Sequence, residues 1–225
     1  MLVSGGDTPL GNSIIQKALA DGFNVVATAP NMSRGKSQQR SSGTGSRGES
    51  ESLMLVAWER LSPVSARNVV LKAVGAYNAI DRAVVVHSLT NERRNLHELP
   101  LNLIQEITDV QLKSHLFLAK EIISHFLKRN TGSLSLVVDV GGRQELATMD
   151  SLVTGAFMGL ASSLMDSYRN DPIGINAFDS LSSDVGGYSQ FIVSTPAEPG
   201  QPGKWSHYGQ KSGVFRSGIR AKAKR

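Results

Sequence analysis

Apolar residues fall along this chain in two rhythms that take turns. Short continuous runs are Leu2-Val3, Phe23 to Thr28, Leu53 to Val56, Ala83 to Val86, Leu134 to Val138 and Ile173 to Phe178. Between them lie longer stretches in which apolar positions recur every three or four residues, the helical spacing. Ile14, Ile15, Ala18 and Leu19 share one face between Gly11 and Ala20, and Asp21-Gly22 ends that helix. A second helix is predicted over Pro63 to Tyr77, with Ser62 as its cap and Pro63 in the first turn, where a missing N–H is harmless. Long helices are predicted over 100–128 and 146–168, and the β-branched run Phe191 to Val193 predicts a seventh strand. Strands that are apolar on both sides, alternating with helices, imply βαβ units. The expected fold class is therefore α/β: a doubly wound parallel sheet of six or seven strands with helices on both faces.

Length and composition narrow this picture. With 225 residues, of which 40% are hydrophobic, the chain is long enough for one domain with a full core. No apolar run approaches the ~20 residues of a membrane helix, and nothing near Met1 reads as a targeting segment. Zero cysteines exclude disulfides and thiolate metal sites and fit a reducing, cytoplasmic setting.

The rhythm breaks at 31–52, a Ser/Gly-rich stretch that also carries Arg34, Lys36, Arg40 and Arg47. Such a composition buries too little apolar surface to offset its ordering entropy, so it is expected to be a mobile insertion. The net charge of +5 is concentrated at the end, where Arg216, Arg220, Lys222, Lys224 and Arg225 have no acid among them. The expected organisation is a single domain over 1–215 and a basic tail over 216–225. The tail leaves a nucleic-acid accessory role open as a minor alternative to a solvated terminus.

Two stretches carry a family likeness. The opening, Leu2-Val3-Ser4-Gly5-Gly6-Asp7-Thr8-Pro9-Leu10-Gly11, is a Gly-rich strand-to-helix turn. From Thr131 to Asn176 the chain reads strand, loop, long helix, strand. Together they resemble the short-chain dehydrogenase/reductase family over about the first four-fifths of the chain. The resemblance implies a Rossmann-type fold, an NAD(P) cofactor and carbonyl or alcohol redox chemistry. It also implies that the two long helices pair across a two-fold axis as a subunit interface. It places Ser4, Gly5 and Gly11 at the cofactor phosphates. The end of the second strand, Ala29-Pro30-Asn31, has no acid for the ribose hydroxyls; Arg34 and Lys36 could meet a 2′-phosphate and favour NADP, and solvated charge is their plainer reading.

The same likeness locates departures. Pro9 stands where the family has a glycine and offers no N–H, and Asp7 adds negative charge near the expected phosphates. The family's catalytic Asn, Ser, Tyr and Lys fall on Gln111, Asp139, Asp150 and Thr154, and its Asn-Asn-Ala-Gly becomes Val85-Val86-His87-Ser88. An ordinary Asp is ionised at neutral pH and cannot donate a proton. Asp139 and Asp150 could act only as a proton-sharing carboxylate dyad, and the plainer reading of Asp150 is a solvated residue, an N-terminal cap or a first-turn acid at the start of a helix.

Other chemistry is sparse. His87, His97, His115, His125 and His207 show no metal-ligand spacing, and His115 and His125 read as interface or surface residues. Tyr168 lies about four turns beyond Asp150, too far to serve the same cleft. Tyr188 remains as a possible replacement. Gly200 to Gln210, with Trp205, His207 and Tyr208, reads as a flap or a partner contact. The functional expectation is a non-catalytic binding, structural or regulatory subunit, a homodimer or hetero-oligomer through the long helices. An NADP-dependent oxidoreductase with atypical residues is the alternative.

Overall fold

The computed structural model describes residues 1–29, 52–143 and 145–209. Among them run β1 (Leu2–Val3), α1 (Pro9–Ala20), β2 (Val25–Ala29), β3 (Leu53–Ala57), α2 (Pro63–Tyr77) and β4 (Arg82–Ser88). Then come α3 (Leu101–Thr108), a π turn (Asp109–Lys113), α4 (Ser114–Arg129), β5 (Ser133–Asp139), α5 (Thr148–Ser167), β6 (Gly174–Ser180), α6 (Val185–Ser194) and β7 (Trp205–Tyr208). The strands form one seven-stranded sheet in the order β3-β2-β1-β4-β5-β6-β7. Every pairing is parallel, for example Val84 beside Ser135 and Leu136 beside Ala177. This is the Rossmann-type architecture the pattern predicts.

The strands divide their side chains between two cores. Ala83 and Val85 of β4, with Leu134, Leu136 and Val138 of β5, pack with Val69, Ile122, Phe126 and Phe157 from α2, α4 and α5. Val84, Val86 and Val137 point the other way, onto Leu10, Ile14 and Ile15 of α1 and Tyr188 and Ile192 of α6. Alternation along each strand thus feeds both layers, and runs apolar at every position are required. A smaller cluster of Leu99, Ile107, Met149 and Val153 fastens α3 to α5.

Both helix starts read from Pro are present. Thr8 caps α1 by accepting from the Gly11 N–H, and Ser62 caps α2 by accepting from the Ser65 N–H. Two expectations need correction. The Phe191 to Val193 run is helical, because Asp184 caps α6 through the Gly187 N–H and Tyr188, Ser189, Ile192 and Val193 are buried at helical spacing. The seventh strand is instead Trp205–Tyr208 at the sheet edge beside β6, so this segment is not a flap. The predicted helix over 100–128 is present without a gap over 101–129 and carries a π turn within it, where the His115 ring meets the Gln111 carbonyl. The 31–51 stretch, with Arg34, and the tail over 216–225 lie outside the described residues.

Candidate functional site

The order of the sheet reverses between β1 and β4, and in a doubly wound fold the crevice opens at the C-terminal strand ends there. Ser4, Gly5, Asp7 and Thr8 from the first turn, Ser88 and Leu89 after β4, Trp58 and Arg60 after β3, and Gln111, Ser114 and His115 line it. Its volume is about 140 Å³.

The first turn is closed on itself. Gly5 adopts φ +72°, and its carbonyl accepts from both the Thr8 N–H and the Thr8 hydroxyl. A Cβ on Gly11 would stand 2.0 Å from the Gly5 oxygen, so only glycine lets α1 start this close to the loop. The N–H groups of Gly6 and Gly11 are taken by the Thr28 carbonyl and the Thr8 hydroxyl, and the Ser4 hydroxyl accepts from the Val86 N–H. Asp7 pairs with Arg60 at 3.5 Å across the mouth of the crevice, in partly solvated surroundings.

At the start of α5, Asp150 is 1% exposed, and its Oδ1 accepts from the Thr90 N–H at 2.7 Å and the Thr90 hydroxyl at 2.6 Å. It is neither solvated nor a cap: residue 147 precedes the helix without a side-chain cap bond, and Asp150 in the first turn anchors the loop after β4. One turn on, the buried Thr154 hydroxyl meets Nε2 of the fully buried His87 at 3.0 Å. The His87 ring stacks on Phe157 at 5.1 Å, and the His115 ring stands edge-on to both.

Burial, assisted by neighbouring His115, pushes the His87 pKa down to about 3. Burial likewise lowers His115 to about 4, with Arg60 adding to the effect and hydrogen bonds to the Gln111 and Val86 backbone opposing it. Both imidazoles are neutral at physiological pH. His115 is 6% exposed, so it is not the surface residue expected. It sits under α5, and its carbonyl partner on the π turn hides it.

Asp139 at the end of β5 does not share a proton with Asp150. Its Oδ1 accepts from the Gly141 N–H, and burial, not a like charge, raises its pKa. Tyr188 cannot replace a lost acid either. It is buried, donates to the Val138 carbonyl, and is pushed up by burial and then by Asp179 and Asp139. Trp205 and His207 both bind the Asp179 carboxylate, and Tyr208 donates to Asp184, which ties β7 to the sheet.

No motif in the sequence singles out Trp58 or Arg60, and His87 and Ser88 stand out only in the altered motif at the end of β4. Among the described residues the buried polar atoms without a partner are Trp58 Nε1, Arg60 Nε, His87 Nδ1 and Ser88 Oγ. The signal available for the first two was their position directly after the third apolar run, at the C-terminal strand end. No group of three or more His, Asp or Glu among the described residues could hold a metal ion, and no described helix is long and apolar enough to cross a membrane.

No curated protein matches the chain. Many solved structures share its fold. One from Bacillus thuringiensis superposes with a TM-score of 0.73 at 15% identity, covering 93% of this chain and 97% of that one. The NADP-bound structure of ElxO gives 0.75 at 14% identity, with 91% and 95% covered. A short-chain dehydrogenase from Streptomyces avermitilis gives 0.63 at 14% identity, with 91% and 70% covered. At these identities the likeness is one of fold. The family model for short chain dehydrogenases matches residues 1–180, and with the sheet order and the strand-to-helix crevice this makes the chain a member of the short-chain dehydrogenase family.

Proposed function

We propose that this chain is a non-catalytic member of its family and serves as a binding, structural or regulatory subunit. The observation that carries the reading is the state of Asp150 and Thr154. The family likeness puts the proton donor and its activating lysine at these positions. Asp150 is instead held by two donors from Thr90, and Thr154 by His87, all inside the protein. These groups stabilise the fold and present no acid and no cation to a substrate. Gln111 lines the crevice but has no proton donor beside it to relay for.

The cofactor implied by the family does not fit the crevice as the described residues bound it. A volume of about 140 Å³ is below the roughly 300–1,000 Å³ of pockets that hold drug-sized ligands. The loop amides of Gly6 and Gly11 are used internally, and Pro9 supplies none. ElxO, a neighbour in fold, holds NADP, and this keeps an NADP-dependent oxidoreductase as the reading to be excluded. Purified protein given NADPH and a panel of aldehydes and ketones should consume no cofactor above the protein-free rate. Turnover that Asp150→Asn abolishes would overturn the proposal.

The remaining role is association. Leu116 on α4 and Leu152 and Met158 on α5 are exposed, and Ala156 and Gly159 between them permit close approach of another helix. Leu118 and Phe126, by contrast, are fully buried in the chain's own core and are not part of this surface. An apolar groove of about 160 Å³ runs between Leu112, Leu116, Ala156 and Leu160. A second copy of the chain, meeting it face to face about a two-fold axis, would cover these residues. Sedimentation equilibrium should give a dimer at tens of micromolar, and Leu116→Glu should convert it to a monomer with an unchanged melting temperature. A wild-type monomer at that concentration would refute the association.

A further inference from the structure

We propose that the crevice beside β1 and β3 binds a small oxyanion, a phosphate- or carboxylate-bearing group, held by Trp58, Arg60 and Ser88. Three of the four buried polar atoms left without a partner among the described residues belong to side chains that line this one crevice. Native proteins leave few such groups unpaired, and a cluster of them on one cavity marks a place where a partner is supplied from outside. Trp58 is 5% exposed, and its indole N–H can only donate. Arg60 sets its guanidinium 5.8 Å from the Trp58 ring and binds Asp7 through Nη2, which leaves Nε–H free. The Ser88 hydroxyl can donate as well.

The Asp7 carboxylate that pairs with Arg60 lies on the same crevice and opposes an anion, while the unpaired Trp58 Nε1–H, Arg60 Nε–H and Ser88 hydroxyl call for a group that only accepts, and an oxyanion is such a group. The cavity, about 140 Å³ as the described residues bound it, admits a phosphate or carboxylate with a short substituent. The inference is independent of whether the chain is catalytic, because none of the three residues is Asp150 or Thr154.

Trp58 is also a reporter, since the chain has two tryptophans and Trp205→Phe leaves it alone. Inorganic phosphate titrated into Trp205→Phe, against sodium chloride at matched ionic strength, should change the Trp58 emission saturably at millimolar phosphate. Arg60→Gln should weaken this at least tenfold, and Ser88→Ala severalfold. Phosphate should also raise the melting temperature of the unaltered protein more than that of Arg60→Gln. That comparison removes the general stabilisation by excluded salts and does not depend on Trp205→Phe folding. A linear or chloride-matched response, or melting shifts equal in Arg60→Gln, would overturn the site while leaving the non-catalytic reading intact. NADPH turnover would overturn that reading while leaving a saturable phosphate response to support the site.

Discussion

Acidification below pH 6.5 should destabilise this protein progressively. His87 and His115 are buried side by side, with folded-state values of about 3 and about 4 against 6.5 for a free imidazole. As pH falls below 6.5, the unfolded chain takes up protons that the folded chain refuses. The stabilisation is therefore complete above 6.5 and is lost progressively toward the two folded values. At full loss it amounts to roughly 5 kcal/mol for His87 and roughly 3 kcal/mol for His115. A total of that size rivals the ~5–15 kcal/mol stability of a whole domain. Urea denaturation at pH 7.5, 6, 5 and 4.5 should show the midpoint falling steadily. His115→Gln, which keeps a donor for the Gln111 carbonyl, should flatten the decline. A stability independent of pH over this window would mean that the two rings are solvated.

Removing Asp150 should damage the fold, not a reaction. Asp150→Ala removes the acceptor of the half-buried Thr90 N–H and hydroxyl, and the expected loss is about 2 kcal/mol. Asp150→Asn keeps an acceptor oxygen for Thr90 and should cost about 1 kcal/mol. Thr90→Val removes one of the two donors, so its effect and that of Asp150→Ala should be strongly non-additive when combined. Chemical denaturation of the four proteins measures this. Additive effects would show that the carboxylate acts through something other than Thr90.

What the sequence shows of this protein depends on how local the cause is. Thr8-Pro9 and Ser62-Pro63 declare their helices because cap and first turn are neighbours in the chain, and both caps are present. The strands from Ala83 and Leu134 are legible because burial on both faces forces every position to be apolar. Phe191 to Val193 misleads because its β-branched residues favour strand, while the cap at Asp184 and packing onto α1 impose a helix. The π turn is not visible in the sequence because the apolar spacing from 101 to 129 is that of one continuous helix.

The site is legible in outline only. Aligning Asp150 and Thr154 with the family positions identifies which residues matter, but their partners are far off in sequence. Thr90 lies 60 positions from Asp150, His87 lies 67 from Thr154, and Arg60 lies 53 from Asp7. No spacing rule connects such pairs; the βαβ crossovers bring them together. That is why Asp150 reads as a solvated acid in the sequence and is a buried anchor in the fold.

Calorimetric titration with NADPH tests most directly the proposal that this crevice does not serve a dinucleotide. Wild-type protein should show no saturable heat at micromolar NADPH, and the double variant Asp7→Ser with Pro9→Gly, which removes a charge and restores an amide at the helix start, should bind measurably better. Saturable binding of NADPH to the wild type at micromolar concentration would contradict the account.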